Sequence, residues 1–90
     1  MMTLTWAVLE LKSKGYIVLV ENDEINGGTR WIKENDIDLL DDEFWISWAG
    51  SGDGWCSVVD GNRELHRRIE HAVDRVSTLV KPRQKGVYSA

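Results

Sequence analysis

Residues 41–61, DDEFWISWAGSGDGWCSVVDG, decide the prediction of the fold. Two runs rich in aromatic and β-branched residues flank residues 50–54, a loop made only of Gly, Ser and Asp. Such a pattern is typical of a β-hairpin. With a loop from Gly50 to Gly54, the predicted cross-strand pairs are Trp48 with Cys56, Ser47 with Ser57, Ile46 with Val58, Trp45 with Val59 and Phe44 with Asp60.

Alternation along this hairpin predicts which tryptophans are buried. Successive side chains of a strand point to opposite faces of a sheet, so residues two apart share a face. The predicted core face is almost wholly apolar and holds Phe44, Ile46, Trp48, Cys56 and Val58. The other face is predicted to be uncovered and holds Trp45, Ser47, Ala49, Trp55, Ser57 and Val59.

The chain before the hairpin predicts a helix followed by two strands. Apolar residues at three- and four-residue steps indicate a helix over residues 4–14, with Thr3 as N-cap and Gly15 after the last turn. Residues 16–21, YIVLVE, are typical of an inner strand that is covered on both faces for part of its length. Asn26-Gly27 is a tight-turn signal, and residues 29–33, TRWIK, then predict the second strand.

The chain after the hairpin predicts one helix and a short tail. An apolar stripe with helical spacing indicates a helix over residues 63–80, with Asp60 or Asn62 as N-cap and Pro82 to end it. Residues 81–90 are basic and have little to bury, so we expect a flexible tail. The stripe consists of Leu65, Ile69, Ala72, Val73, Val76 and Leu79.

These elements predict a single α+β domain over residues 1–80. Its order is helix, strand, strand, strand, strand, helix, and two helices can cover only one face of such an antiparallel sheet. A chain of 90 residues is large enough for one modest core.

The net charge of −4 is unevenly distributed along the chain. Residues 21–43 contain nine acidic residues against Arg30 and Lys33, whereas residues 62–90 contain seven Lys or Arg against three acidic residues. The protein therefore has an acidic middle and a basic end. Residues 34–43, ENDIDLLDDE, have too few apolar positions to indicate a helix or a strand, and we expect an irregular connection there.

Residue types that carry catalysis or bind metals do not converge in the predicted fold. His66 and His71 lie about 140° apart around the predicted helix. Cys56 falls on the predicted core face, and a single cysteine excludes an intrachain disulfide. Residues 50–54 are glycine-rich but precede a strand, so they lack the helix N-terminus of a phosphate-binding loop. We therefore expect no enzyme activity, no cofactor and no metal site.

The acidic connection and two tryptophans are the predicted partner-binding residues. A calcium loop is excluded because no glycine stands at the sixth position required by EF-hand spacing. The carboxylates form either a solvated loop or an imitation of a row of phosphates that enters a basic groove. Tryptophan is the residue most enriched at binding hot spots. The predicted site residues are Glu34, Asp36, Asp38, Asp41, Asp42, Glu43, Trp45 and Trp55.

Residues 8–21, VLELKSKGYIVLVE, place a short opening helix directly before a strand, and acidic hairpins and a closing helix follow. In layout, size and charge the chain resembles small phage-encoded anti-CRISPR inhibitors, which implies a DNA mimic acting in the host cytoplasm. The order of elements also resembles the double-stranded RNA-binding domain. That family has a lysine-rich start to its last helix, where this chain has Gly61-Asn62-Arg63-Glu64, and this departure argues against RNA binding.

We therefore expect a non-enzymatic, cytoplasmic protein that binds a host protein or ribonucleoprotein complex and inhibits its handling of nucleic acid. No basic leader precedes an apolar block, and no apolar run approaches the roughly 18 residues of a membrane span. The alternative is a small nucleic-acid-binding domain that uses the basic final helix and tail with a tryptophan stacking face. An accessory subunit of an enzyme is a third option. We expect a monomer, with a weak homodimer as the alternative.

Overall fold

Two helices and a five-stranded antiparallel sheet make up the computed structural model, which describes residues 3–23, 29–34, 44–50 and 52–82. Each strand pairs with the next one along the chain. The α+β class and the order of helix, strands and helix are confirmed, with one strand more than the four predicted. The elements are α1 (Leu4–Ser13), β1 (Val18–Asp23), β2 (Thr29–Glu34), β3 (Phe44–Gly50), β4 (Gly54–Val59), β5 (Asn62–His66) and α2 (Ile69–Leu79).

The first helix follows its sequence signals closely. Thr3 has an extended backbone and its Oγ1 accepts a hydrogen bond from the backbone N–H of Trp6 at 3.2 Å, which satisfies one free amide of the first turn. Gly15 adopts a φ of 100°, a conformation that costs glycine little. The helix predicted over residues 4–14 is therefore confirmed to within one residue.

Strand β1 lies at an edge of the sheet, so its prediction as an inner strand is wrong. Among the described strands it pairs with β2 alone, from Val18 opposite Glu34 to Asp23 opposite Thr29. Val18 is buried because α1 packs on one face of this edge, and that one-sided cover is enough to explain the apolar run. The predicted Asn26-Gly27 turn falls outside the described residues.

The predicted helix over residues 63–80 is wrong at its start. Asp60 and Gly61 have φ values of 51° and 80°, the combination of a two-residue hairpin turn, and Val59 pairs with Asn62 across it. The chain therefore returns as β5, and neither Asp60 nor Asn62 caps a helix. Helix α2 begins only at Ile69 and ends at Leu79, before Pro82.

Both helices pack on the same face of the sheet, as predicted. Their apolar sides meet the strands in one buried cluster: Ala7, Leu11, Tyr16, Val18, Ile32, Phe44, Ile46, Ile69, Ala72, Val73, Val76 and Val80. The ring of Tyr16 packs edge-to-face on Phe44, and its hydroxyl donates a hydrogen bond to the carbonyl of Val80 beyond the end of α2. Burial raises the pKa of Tyr16 above its usual value of 10.0.

Neither described helix is long and apolar enough to cross a membrane. The predicted basic tail begins at Lys81, and its residues 83–90 lie outside the described part of the chain.

Candidate functional site

A β-bulge at Ala49 determines which tryptophans share a face. Gly50 pairs with Gly54, but the next pair is Trp48 with Trp55, so Ala49 is an extra residue on β3. From that point the hairpin is displaced by one residue from the predicted pairing. Because the side-chain period of a strand is two residues, a displacement by one residue exchanges the two faces of β4 relative to those of β3.

The predicted faces of β4 are therefore wrong. Trp55 lies on the helix-covered face and packs against the core, whereas it was predicted to lie on the uncovered face with Trp45. Trp48 was predicted to be in the core but is 46% exposed. Cys56 faces away from the helices, although it is still buried.

The acidic half of the predicted site is largely outside the described residues, which do not include Asp36, Asp38, Asp41, Asp42 and Glu43. Glu34 is described and differs from its prediction as a solvent-facing charge, because only 5% of it is exposed. It ends β2 opposite Val18, on the face covered by the helices. Glu34 therefore does not belong to an exposed acidic surface.

The face of the sheet opposite the helices is the first candidate surface, and we call it the open face. Strand register places its members in two rows that cross all five strands. Neither described helix packs on it, since both lie on the other side. The rows are Leu19, Lys33, Trp45, Val58 and Arg63, and Glu21, Trp31, Ser47, Cys56 and Leu65.

Trp31 and Trp45 occupy the middle of the open face. They lie diagonally across β2 and β3, and their rings meet edge-to-face with centroids 5.5 Å apart. Both side chains are half-buried. The indole N–H of Trp31 is shielded from solvent and has no hydrogen-bond partner among the described residues.

Charged and apolar groups surround this indole pair. Lys33 Nζ lies 3.3 Å from Glu21 Oε1, which forms an ion pair across β1 and β2. At the other edge, Arg63 Nε donates a hydrogen bond to Cys56 Sγ at 3.2 Å, and Leu65 is 52% exposed. An apolar centre with a charged margin is the usual anatomy of a protein–protein interface.

A second aromatic cluster lies on the helix-covered face, beside the β3–β4 loop. Trp48 pairs with Trp55, which in turn pairs with His66, and we call these three residues the aromatic row. The two indoles meet edge-to-face with centroids 5.1 Å apart. Of the three, Trp48 is the exposed member, and Trp55 joins the row to the core.

His66 is tied to the interior of the sheet by Ser57. His66 Nε2 lies 2.8 Å from Ser57 Oγ, and Ser57 is 1% exposed. Burial lowers the pKa of His66 below its usual 6.5; Glu64 raises it, and His71 and Arg75 lower it further. The pair resembles a serine–histidine dyad only in its distance, because a substrate has no access to a serine buried to this degree.

The two histidines lie on different elements, although both were predicted to be on one helix. His66 is in β5 and His71 is in α2, so the predicted separation around one helix does not apply. His71 is near enough to influence the pKa of His66. Within the described ranges, no group of three or more His, Cys, Asp or Glu side chains is arranged to hold a metal ion.

A shallow pocket lies between β5 and α2 and contains an ion pair. Arg75 Nε donates to both carboxylate oxygens of Glu64, at 2.9 and 3.1 Å. The other lining residues include Arg63 and Leu79. Because the two central charges neutralise each other, this pocket offers a ligand little unpaired charge.

Trp31 and β5 are the functional features that the sequence analysis missed. Trp31 stands next to the buried Ile32, and this alternation was a signal that its ring faces away from the core. Asp60-Gly61 was a signal for a hairpin turn, but the helical stripe that follows concealed it.

Comparison of the chain with protein-family models, with curated proteins and with solved structures gave no match. Function is therefore inferred from the open face and the aromatic row themselves.

Proposed function

We propose that the protein acts by binding another protein through its open face, with Trp31 and Trp45 as the anchoring side chains. The observation that carries this proposal is the pair of half-buried indoles at the centre of a sheet face on which neither described helix packs. Tryptophans at the centre of an interface account for a large share of binding energy once a partner excludes water from them.

The charges around the pair indicate how a partner would be oriented. The Lys33–Glu21 ion pair and Arg63 lie toward opposite edges of the open face, where they remain in contact with solvent. Charged groups at an interface margin set specificity and association rate more than affinity. They would fix the partner's direction across the strands, while the indoles would supply the buried area.

Inhibition of a nucleic-acid-handling complex is the finer form of this proposal. It is supported by the acidic residues of positions 21–43 other than the buried Glu34, which would attract a basic surface that normally binds phosphates. The earlier alternative, in which one surface joins Trp45 to the basic final helix, loses support because Trp45 and α2 lie on opposite sides of the sheet.

The test is capture of a protein partner from nuclease-treated lysate of the native cells, followed by binding measurements with the purified pair. Trp45→Ala is expected to weaken binding about 10-fold or more, the effect of losing a hot-spot side chain. Trp48→Ala is the matched control, since it removes an indole from the other face, and it should leave affinity within about 2-fold.

Reversal of the charges of Asp41, Asp42 and Glu43 tests the inhibitory form separately. It is expected to slow association at low salt and to have little effect at high salt. Recovery of no specific protein, or equal affinity of the Trp45→Ala and Trp48→Ala variants, would contradict binding through the open face.

A further inference from the structure

The aromatic row carries a different inference from the open face. Trp48 is the exposed member of the row, and it lies beside the loop that joins β3 and β4. An edge-to-face contact occupies at most one face of each ring, so an indole that is 46% exposed retains surface on which a planar ring can stack. The row is therefore a candidate stacking platform.

The platform is held rigidly by the sheet. Trp55 packs against the core, and Ser57 holds the ring of His66. Gly54 permits the close approach of β4 to the end of β5: a Cβ at this position would lie 2.3 Å from the carbonyl oxygen of His66 and 3.2 Å from Cα of Arg67. Sites on such fixed strands lose little conformational entropy when a ligand binds.

Two arginines follow the row directly. Arg67 and Arg68 are exposed, and neither forms an ion pair within the described part of the chain. Arg68 is also the N-cap of α2 and its side chain contributes no capping hydrogen bond to the helix. Asp53 and Glu70 are the acidic neighbours along the chain and limit the net positive charge.

We infer that the aromatic row, with Arg67 and Arg68, binds single-stranded nucleic acid. An exposed indole at one end of the row and two exposed arginines that follow its other end in the chain match the two repeating parts of such a strand, a flat base and a phosphate. A duplex fits less well, because its base faces are stacked on one another and cannot reach Trp48. With about two phosphates engaged, the logarithm of affinity should fall with the logarithm of salt with a slope of about −1.4.

The test measures binding of the whole chain to a labelled thymine oligonucleotide of about 12 nucleotides, followed by fluorescence anisotropy and by tryptophan quenching. Trp48→Ala is expected to raise Kd about 10-fold, since stacking of one base is lost, and Trp48→Phe should restore much of the affinity. Reversal of Arg67 and Arg68 to Glu should also raise Kd and should flatten the salt dependence. Trp45→Ala, on the open face, is the matched control and should leave Kd unchanged.

Several outcomes would overturn the inference. These are no binding at about 100 μM oligonucleotide in low salt, affinity unchanged by Trp48→Ala, and equal affinity for a duplex of the same sequence. A loss of binding only on substitution of Lys81, Arg83 and Lys85 would assign the affinity to the basic tail instead. Equal competition by thymidine monophosphate, at the same nucleotide concentration, would identify a free nucleotide rather than a strand as the ligand.

Discussion

The two tryptophan pairs of the sheet have similar ring geometry but opposite surroundings. Trp48 and Trp55 face each other directly across β3 and β4 on the side of the helices, whereas Trp31 and Trp45 lie diagonally on the open face. The centroid separations are 5.1 and 5.5 Å. Yet the most exposed of these four indoles, Trp48, lies on the helix-covered face.

This difference shows that exposure depends on the position along a strand as well as on the face. Trp48 is near the end of β3, next to the bulge at Ala49, where the row runs out beyond the packed core. Trp31 and Trp45 each have a paired residue on both neighbouring strands, whereas Trp48 is paired with Trp55 on β4 and has no described partner on β2. A tryptophan on the helix-covered face can therefore be exposed, and a tryptophan on the open face can be half-buried.

The largest expected effect comes from Gly54→Ala, which disturbs the backbone contact between β4 and the end of β5 beside the aromatic row. Gly54 has a φ of 76°, and an added Cβ would overlap the carbonyl oxygen of His66. We expect a loss of about 3–5 kcal/mol in the free energy of unfolding, measured by urea denaturation.

Gly50→Ala separates backbone strain from this overlap. Gly50 also has a positive φ, of 122°, but nothing lies within 4 Å of an added Cβ. The free energy of unfolding of Gly50→Ala should therefore fall by only about 1–3 kcal/mol. If both variants lose the same free energy of unfolding, then the close approach of β4 to β5 is not the reason that glycine is needed at position 54.

Substitution of either tryptophan of the aromatic row by alanine should lower the free energy of unfolding, and by unequal amounts. Trp55→Ala removes a side chain that packs against the core, and we expect a loss of about 2–3 kcal/mol. Trp48→Ala removes a side chain that is 46% exposed and should cost about 1 kcal/mol or less. A larger loss for Trp48 in urea denaturation would mean that this ring is part of the core.

Trp31→Phe tests the open-face pair with a smaller change. It removes apolar area but also removes a solvent-shielded N–H that has no partner in the described part of the chain, and a buried unpaired donor costs about 1–3 kcal/mol. The two effects oppose each other, so we expect a net change within about 1 kcal/mol. Trp45→Phe has no such relief and should be the more destabilising of the two in the same assay.

The smallest expected effect is the pH dependence of stability that comes from His66, the third member of the aromatic row. Because burial lowers the pKa of His66, the unfolded chain takes up a proton more readily than the folded one below pH 6.5. The contribution of His66 to stability is fully present above pH 6.5 and is lost as the pH falls toward its lower folded pKa. Unfolding free energy measured from pH 7.5 to 5 should therefore decline less steeply in His66→Gln; an unchanged slope would contradict the shift.

Local signals were sufficient to predict much of the fold. Helix α1 has its cap at Thr3 and its terminating glycine at Gly15, and both act within a few residues. The α+β class followed from the order of the elements. Strand β5 was missed because residues 65–79 carry an apolar stripe of helical spacing, although only residues 69–79 form a helix.

The candidate site was harder to predict because it depends on one extra residue. Alternation assigns the faces of β3 and β4 only if no bulge intervenes, and Ala49 carries no side-chain feature that marks it as one. The two faces of β4 are also similar in polarity: Trp55, Ser57 and Val59 on one, Cys56 and Val58 on the other. Composition therefore could not correct the pairing, and Trp45 was grouped with Trp55 rather than with Trp31.

The contact of Tyr16 with Val80 has a consequence for the order of folding. The four hairpin contacts of the sheet join neighbours along the chain, whereas this hydrogen bond closes a separation of 64 residues, and α1 packs directly on α2. Local pairings form quickly, and distant ones wait for the loop between them to close. During synthesis the strands can begin to pair as they emerge, but Ala7 and Leu11 of α1 cannot be fully buried until α2 has left the ribosome. Helix α1 is thus completed by α2, which is synthesised later.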